Sequence, residues 1–315
     1  MFNCNTISCV IPCFNEDAGI AELLKRLFAV MNDIPYKYEI VLVNDGSTDN
    51  TWTVMRSELE QYSNLVIVNL SRNHGHQLAL TAGLSVCTGD VILVLDADLQ
   101  DPPELLPAML KKMQEEEADV VYGQRAHRKG ESFFKLLTAK MFYRTLRFLT
   151  NVDIPVDTGD FRLMTRRVLQ TFLKMPEHSL FIRGMISWIG YKQVPLLYNR
   201  DARFCGETKY PFHKMLRLAV DAITAFSIKP LRVGVMLGGI GCSIGGVMLL
   251  YCLISFLLGR AVSGWTSLLS ATVIMGSLQL FLLGLIGEYI GRIYIESQNR
   301  PRFIISEIIK APKTE

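Results

Sequence analysis

Two long apolar stretches near the carboxyl end constrain the fold of this chain more than any other feature. Arg260 is the only charged residue between Arg232 and Glu288, and it separates residues 233–259 from residues 261–287. Each stretch is longer than the roughly 20 apolar residues with which an α-helix crosses a bilayer. The sequence therefore predicts a hairpin of two transmembrane helices behind a larger and more polar amino-terminal part.

The distribution of basic residues predicts the orientation of this hairpin. Lysine and arginine are scarce around Arg260 but frequent before the hairpin and in the tail after it. Because cytoplasmic segments next to membrane spans carry the excess of such residues, both ends of the chain are expected in the cytoplasm. Glycines spaced three or four residues apart would also allow close helix contact, within the hairpin or in an oligomer. They are Gly234, Gly238, Gly241 and Gly245.

Before the hairpin, short apolar runs alternate with segments of helical periodicity. The first helical segment carries apolar residues from Ile20 to Leu27, and Asn15 and Asp17 are the expected caps at its start. Strands that alternate with helices predict a parallel sheet covered by helices on both faces. The four predicted strands are residues 7–11, 39–43, 65–70 and 91–95.

Polar residues cluster where these predicted strands end. Ligands of such sheets bind beyond the carboxyl ends of the strands, so the segments Pro12–Glu16, Asp45–Ser47 and Asp96–Asp101 are expected to converge. Asp96 and Asp98 are two residues apart and would point to the same side of an extended chain. Two such carboxylates suit Mg²⁺ or Mn²⁺, with substrate phosphates and water as further ligands. The alternative is a solvated turn whose carboxylates cap the next helix.

Several classes of protein are disfavoured by what the sequence lacks. No G-x-G-x-x-G motif follows the first strand and no G-x-x-x-x-G-K-[ST] motif occurs, which argues against a dinucleotide oxidoreductase and a P-loop protein. A net charge of +3 gives no case for nucleic acid. The seven cysteines include no C-x-x-C pair, which favours a reduced cytosolic domain over a zinc or disulfide framework. No signal-peptide pattern opens the chain.

Six segments give the chain a specific resemblance to a known family. They are Val10–Glu16, Val43–Asp49, Asp96–Glu104, Tyr122–Arg125, Asp157–Met164 and Arg200–Tyr210. Together they resemble the inverting GT-A glycosyltransferases of family 2. More narrowly, they are similar to the polyisoprenyl-phosphate glycosyltransferases, which include dolichyl-phosphate mannose synthase and the bacterial undecaprenyl-phosphate glucosyltransferases. The similarity covers nearly the whole chain, including the hairpin.

The resemblance implies a layout for the whole chain. The expected fold is a GT-A, Rossmann-like, mostly parallel sheet with helices on both faces, followed by interfacial helices and a two-helix transmembrane hairpin. This layout implies an integral protein of the inner or plasma membrane whose catalytic domain lies in the cytoplasm. The catalytic domain is expected at 1–210, and its basic, amphipathic residues 131–150 are a candidate interfacial helix. A second amphipathic interfacial helix is expected at 211–230. The hairpin follows at 231–290, with helices at about 233–259 and 264–289, and a cytosolic tail at 291–315 ends the chain.

The resemblance also implies roles for individual residues. The nucleotide would be held by Pro12, Asn15, Glu16, Asp45 and Asp96. The metal ligands would be Asp98 and Asp96, with Gln100 as a neighbour. The acceptor phosphate would be bound by Arg125, Arg200 and Arg203, with Lys135, Thr138 and Lys209 as weaker candidates, and the catalytic set would be Asp157, Asp98 and Arg203. Arginine suits such a site because its planar fork binds phosphate in a bidentate way.

The function implied is the transfer of a hexose from a nucleotide sugar to a polyprenyl phosphate, with inversion and with Mg²⁺ or Mn²⁺ as cofactor. Glucose from UDP-glucose and undecaprenyl phosphate are favoured. GDP-mannose, UDP-galactose, UDP-GlcNAc and an aminoarabinose nucleotide remain alternative donors. A non-catalytic, membrane-anchored protein that binds nucleotide sugars is the alternative from another class.

Overall fold

An eight-stranded sheet with its helices forms one compact unit of the protein, and two long helices form a second. The computed structural model describes residues 4–125, 158–178, 180–199, 229–258 and 264–311. The elements are β1 (Thr6–Cys13), α1 (Ile20–Asn32), β2 (Lys37–Asn44), α2 (Thr51–Glu58), β3 (Leu65–Leu70), α3 (His76–Val86), β4 (Val91–Val94), a 3₁₀ turn (Pro103–Leu105), α4 (Leu106–Glu115), β5 (Val120–Arg125), β6 (Thr158–Thr165), α5 (Arg166–Leu173), α6 (Ile182–Ile189), β7 (Gln193–Tyr198), α7 (Lys229–Leu257), α8 (Trp265–Ser297) and β8 (Ile305–Lys310).

The sheet has the strand order β7-β5-β6-β4-β1-β2-β3-β8. The four strands predicted from the sequence, β1 to β4, lie side by side and pair in parallel. Strand β6 is antiparallel to both β4 and β5, and β8 is antiparallel to β3. The predicted Rossmann-like arrangement is therefore confirmed, and the sheet as a whole is mixed.

Both faces of the central strands are covered, as their uninterrupted apolar sequences predict. Alternate residues of β1, including Ile7 and Ile11, pack in the core that contains Leu23 of α1. On the other face α3 lies so close that a Cβ added at Gly83 would come within 2.5 Å of the Val10 side chain. This close packing of α3 fixes the position of its amino-terminal end, where the candidate site begins.

The start of α1 differs from the sequence prediction. The helix begins at Ile20 with Gly19 at the cap position, and no side chain caps it. Asn15 adopts a left-handed conformation with φ +54°, and its side-chain oxygen accepts a hydrogen bond from the Thr48 N–H at 2.9 Å. Asn15 therefore does not cap α1. Its side chain instead joins the loop after β1 to the loop after β2.

The residues after the second long helix return to the sheet. Within the segment predicted as a cytosolic tail, Ile305–Lys310 forms β8 and pairs with β3. The Ser71 N–H donates to the Ile304 carbonyl at 3.0 Å, and the Arg302 guanidinium donates to the Met175 carbonyl. Strand β8 therefore covers the edge of β3, which would otherwise expose unpaired backbone groups.

The second unit consists of the antiparallel helices α7 and α8. A Cβ added at Gly234 would lie 2.7 Å from Leu282, and one added at Gly241 would lie 4.0 Å from Leu278. Within the described residues, Ile274–Ser297 is long and apolar enough to cross a membrane by length and composition, and Leu231–Val247 is a shorter apolar helix. The crossing of a membrane by both helices stays a prediction.

Candidate active site

The three loops predicted to converge do come together at the carboxyl ends of β1, β2 and β4. The Asn15 N–H donates to the Ser47 hydroxyl at 3.0 Å, and the Glu16 N–H donates to the Thr51 hydroxyl at 2.9 Å. A Cβ added at Gly19 would lie 3.7 Å from the Ala97 carbonyl oxygen, which brings the loop after β4 to the same place.

Asp45 organises a fourth loop, between β3 and α3. Its two carboxylate oxygens accept hydrogen bonds from the His74 N–H at 2.7 Å and from the Gly75 N–H at 2.9 Å. The side chain is buried, and this burial raises the pKa of Asp45 although the two backbone N–H groups oppose the rise. Asp45 thereby connects the end of β2 to the start of α3.

Asp96 and Asp98 follow β4 in a loop with an unusual backbone. Between Asp98 and Gln100, the buried Leu99 has φ +57°, a conformation that costs energy and is concentrated at functional sites. The Gln100 N–H donates to Asp98 at 3.2 Å. Burial, opposed by His76, raises the pKa of Asp96 to about 6. The loop therefore holds two carboxylates in a shielded environment.

A network of charged side chains lies beside this loop and centres on Asp160 in β6. The buried Asp160 carboxylate accepts hydrogen bonds from His76 at 3.1 Å, Gln77 at 2.9 Å and Arg183 at 2.9 Å. Although burial alone would raise it, Arg183 and His76 hold the pKa of Asp160 well below its usual range. In turn, although burial opposes protonation, Asp160 and Asp96 raise the pKa of His76 to about 9.

A second group joins the same loop to the ends of β5 and β7. The Tyr198 hydroxyl donates to the buried carboxylate of Asp101. The Arg125 guanidinium lies against Gly159, where an added Cβ would come within 3.3 Å of it. The Nε atom of Arg125 is buried and has no hydrogen-bond partner among the residues that the structure describes. Arg125 thus presents a donor close to the carboxylate loop.

The other residues singled out from the sequence divide into two groups. Pro12 lies inside β1, opposite Val43, and is buried in the sheet, while Asn15 and Glu16 form the loop described above. The remaining candidates lie outside the described residues. They are Lys135, Thr138, Asp157, Arg200, Arg203 and Lys209.

The carboxylate loop fits a divalent metal ion. Within the described ranges, the Oδ1 atom of Asp96 is buried without a hydrogen-bond partner, and Asp98 is buried two residues further on. Within the described part of the chain no three ligating side chains gather into a complete metal site. Two carboxylates, with phosphate oxygens and water as the remaining ligands, are the set that Mg²⁺ typically uses.

Family comparisons define the class of protein to which this fold and site belong. Residues 8–173 match the family model described as "Glycosyl transferase family 2", and residues 229–293 match the model described as "GtrB C-terminal hairpin". The chain belongs to glycosyltransferase family 2, and within it to the polyprenyl-phosphate glycosyltransferases of the GT-A type. The protein is therefore an enzyme, a glycosyltransferase.

Individual relatives are similar along nearly their whole length. The chain is 44% identical to an uncharacterized glycosyltransferase of Bacillus subtilis, with 95% of this chain and 93% of that protein covered. It is 38% identical to a bactoprenol glucosyl transferase of Shigella phage SfV, with 95% and 97% covered. It is 37% identical to a prophage bactoprenol glucosyl transferase homolog of Escherichia coli, with 96% of this chain and 99% of that protein covered.

One solved structure supports the fold. The mannosyl-3-phosphoglycerate synthase of Rubrobacter xylanophilus matches with a TM-score of 0.50 over 70% of this chain and 72% of that one. The two sequences are 19% identical, so the match concerns the fold alone.

Sequence reasoning missed the network around Asp160. Its members come from α3, β6 and α6, and no spacing in the sequence relates His76 to Asp160 or Arg183. A signal did exist for His76, because it follows the third predicted strand and therefore lies at the ligand-binding edge of the sheet.

Proposed function

We propose that the protein transfers glucose from UDP-glucose to a polyprenyl phosphate and inverts the anomeric centre. The product is a polyprenyl monophosphate glucose at the cytoplasmic face of the membrane. The observation that carries this proposal is the pair of carboxylates at the converging loops, the half-buried Asp96 and the buried Asp98, in a chain that also matches a hairpin family. Relatives named bactoprenol glucosyl transferase support the choice of sugar and lipid.

The donor side of the site would be formed by the loops after β1, β2 and β4. Asp98 and Asp96, with Gln100 beside them, would hold Mg²⁺ or Mn²⁺, which supplies charge neutralisation of the leaving diphosphate when bound. Pro12, Asn15, Glu16 and Asp45 would form the nucleotide pocket. Because Asp45 already holds the backbone of residues 74 and 75, its contribution would include the shape of that pocket.

The site for the acceptor lipid phosphate needs cationic side chains to bind the phosphate more than it needs a general base to deprotonate it. A phosphate monoester has its second pKa near 6, so the lipid phosphate is largely a dianion at neutral pH and can attack directly. The buried Nε of Arg125 offers a donor to such an anion. Arg200 and Arg203, with Lys135, Thr138 and Lys209, would complete the acceptor site. Positioning of two anions is then the main contribution of the protein.

The membrane location follows from the lipid substrate. Its phosphate lies at the headgroup level while its tail stays in the hydrocarbon, so the catalytic unit must be held at the surface. We propose that α7 and α8 both span the membrane. The chain leaves the sheet unit before α7 and rejoins it at β8, which supports a hairpin with both ends on the cytoplasmic side.

The test is transfer of labelled sugar into organic-extractable lipid by the detergent-purified protein. The reaction contains undecaprenyl phosphate, Mn²⁺ or Mg²⁺ and one labelled donor at a time from UDP-glucose, UDP-galactose, UDP-GlcNAc and GDP-mannose. We expect label in lipid from UDP-glucose, lost with chelator and reduced at least about 100-fold in Asp98→Ala.

Two controls make the result decisive. Asp33→Ala removes an exposed carboxylate at the end of α1, away from the loops, and retains activity. Transfer from another donor alone would contradict the assignment of glucose. Nucleotide binding without transfer from any donor would favour the non-catalytic alternative.

A further inference from the structure

His76 lies between two carboxylates that belong to different parts of the fold, the half-buried Asp96 and the buried Asp160. Its Nε2 atom is 3.1 Å from Asp160 Oδ2 and 3.6 Å from Asp96 Oδ1. The residue begins α3, whose preceding loop is held by Asp45. The imidazole therefore joins the carboxylate loop after β4 to strand β6.

The Asp160 end of this contact is firmly held. The Asp160 carboxylate accepts hydrogen bonds from Gln77 and Arg183 as well as from His76. The Arg162 guanidinium donates to the backbone carbonyl of Asp160 at 3.2 Å. Gln77 is itself fixed, because its side-chain oxygen accepts the Ile182 N–H at 3.0 Å. Asp160 is thus a rigid anchor for the histidine ring.

The Asp96 end is different. Its Oδ1 atom is buried and accepts no hydrogen bond from the residues that the structure describes, and the His76 Nε2 atom lies 3.6 Å away from it. Without that ring, the carboxylates of Asp96 and Asp160 would face each other directly. Like charges this close repel each other, and the loop carrying Asp96 would shift.

We propose that His76 is a positioning residue that holds Asp96 in the orientation needed to bind a divalent metal ion, an inference that rests on the proposed function. Groups that orient metal ligands without touching the metal change metal affinity by about 10- to 100-fold when they are removed. Gln77 provides a matched control, because it donates to the same oxygen of Asp160 and has no contact with Asp96 in the described structure.

The experiment measures Mn²⁺ binding directly. Full-length protein in detergent is titrated with Mn²⁺ in the presence of UDP, and free Mn²⁺ is followed by electron paramagnetic resonance. His76→Ala and His76→Phe lack the ring N–H, and we expect at least a tenfold rise in the Mn²⁺ concentration for half-saturation. His76→Gln retains an N–H of similar reach, and Gln77→Ala retains His76, so both stay within about threefold of the wild type.

Kinetics provide a second readout that a purely structural role would not change. In His76→Ala the half-saturating Mn²⁺ concentration in the transfer assay should rise in parallel with the binding constant, while kcat at saturating Mn²⁺ stays within about threefold of the wild type. Thermal unfolding of each variant verifies folding, and His76→Phe replaces His76→Ala if the alanine variant does not fold.

The outcomes separate this inference from the proposed function. Wild-type binding of Mn²⁺ that disappears in Asp98→Ala establishes the metal site. Equal binding by His76→Ala and the wild type, or an equal loss in Gln77→Ala, would overturn the role of His76 and leave the function standing. Failure of the wild type itself to bind Mn²⁺ with UDP would overturn both.

Discussion

Gly46 is a residue at which the backbone of the site tolerates no side chain. It has φ +62°, and an added Cβ would lie 2.5 Å from backbone atoms of both Arg72 and Asn73. Gly75, in the same loop system, has φ +95°, but no atom of the described residues lies within 4 Å of an added Cβ. The two glycines therefore separate the cost of backbone strain from the cost of a steric clash.

We expect Gly46→Ala to destabilise the protein more than Gly75→Ala. Backbone strain costs an alanine about 1–3 kcal/mol at either position, and overpacking against rigid backbone adds about 1–3 kcal/mol at Gly46 alone. Thermal or denaturant unfolding of the two variants measures the difference. Equal stability of both variants would contradict the close approach of the loops after β2 and β3.

The resemblance to the family places Asp157 in the catalytic set, where it could act as a base or as a residue that positions the donor. We expect Asp157→Asn to raise KM for the nucleotide sugar while kcat stays within about tenfold, because the lipid phosphate is already ionised above pH 6. Initial rates at pH 6.5 to 9 with saturating acceptor provide the measurement. A large loss of kcat that is rescued by raising the pH would instead identify Asp157 as a base.

At the residue scale, sequence motifs predicted the polar groups that follow strands but missed contacts between distant elements. Asp45, Asp96 and Asp98 were found because each comes directly after an apolar run. The use of Asp45 to hold the backbone of residues 74 and 75 could not be predicted. Such a bond depends on tertiary packing of α3, which no local spacing encodes.

Strand β8 is the element that departs most from expectation. Five of its six residues pair with β3, and Ile309 packs against the main core. Strands β1 to β4 were predictable because they are continuous apolar runs in a repeating strand–helix order. Strand β8 follows a predicted membrane hairpin and contains Glu307 and Lys310, so its sequence alone did not indicate a strand.

A chain ended after residue 300 should lose stability and tend to aggregate. It lacks β8 and the Arg302 contact to Met175, and it exposes the edge of β3. We expect the midpoint of thermal unfolding to fall by about 5 °C or more. A chain ended after Ala311 retains β8 and is the control. An unchanged midpoint in the shorter chain would show that β8 contributes nothing to the sheet unit.

On the scale of the whole molecule, the chain links a catalytic unit to a pair of long helices and then returns. The apolar stretches predicted these helices, although α8 extends to Ser297, beyond the expected end near residue 289. The apolar side chains of both helices are largely exposed, which is expected of surfaces that face lipid. Under the proposed function, such a protein would bring a water-soluble donor and a lipid acceptor together at the membrane surface.

The central claim is that glucose alone, without phosphate, passes from UDP-glucose to the lipid phosphate. The most direct test uses UDP-glucose labelled with ¹⁴C in the sugar and ³²P in the β-phosphate, followed by separation of lipid from water-soluble products. The account predicts ¹⁴C in the lipid phase and ³²P in water-soluble UDP, both dependent on Mn²⁺ or Mg²⁺. Arrival of both labels in the lipid would show transfer of a sugar phosphate and would contradict the account.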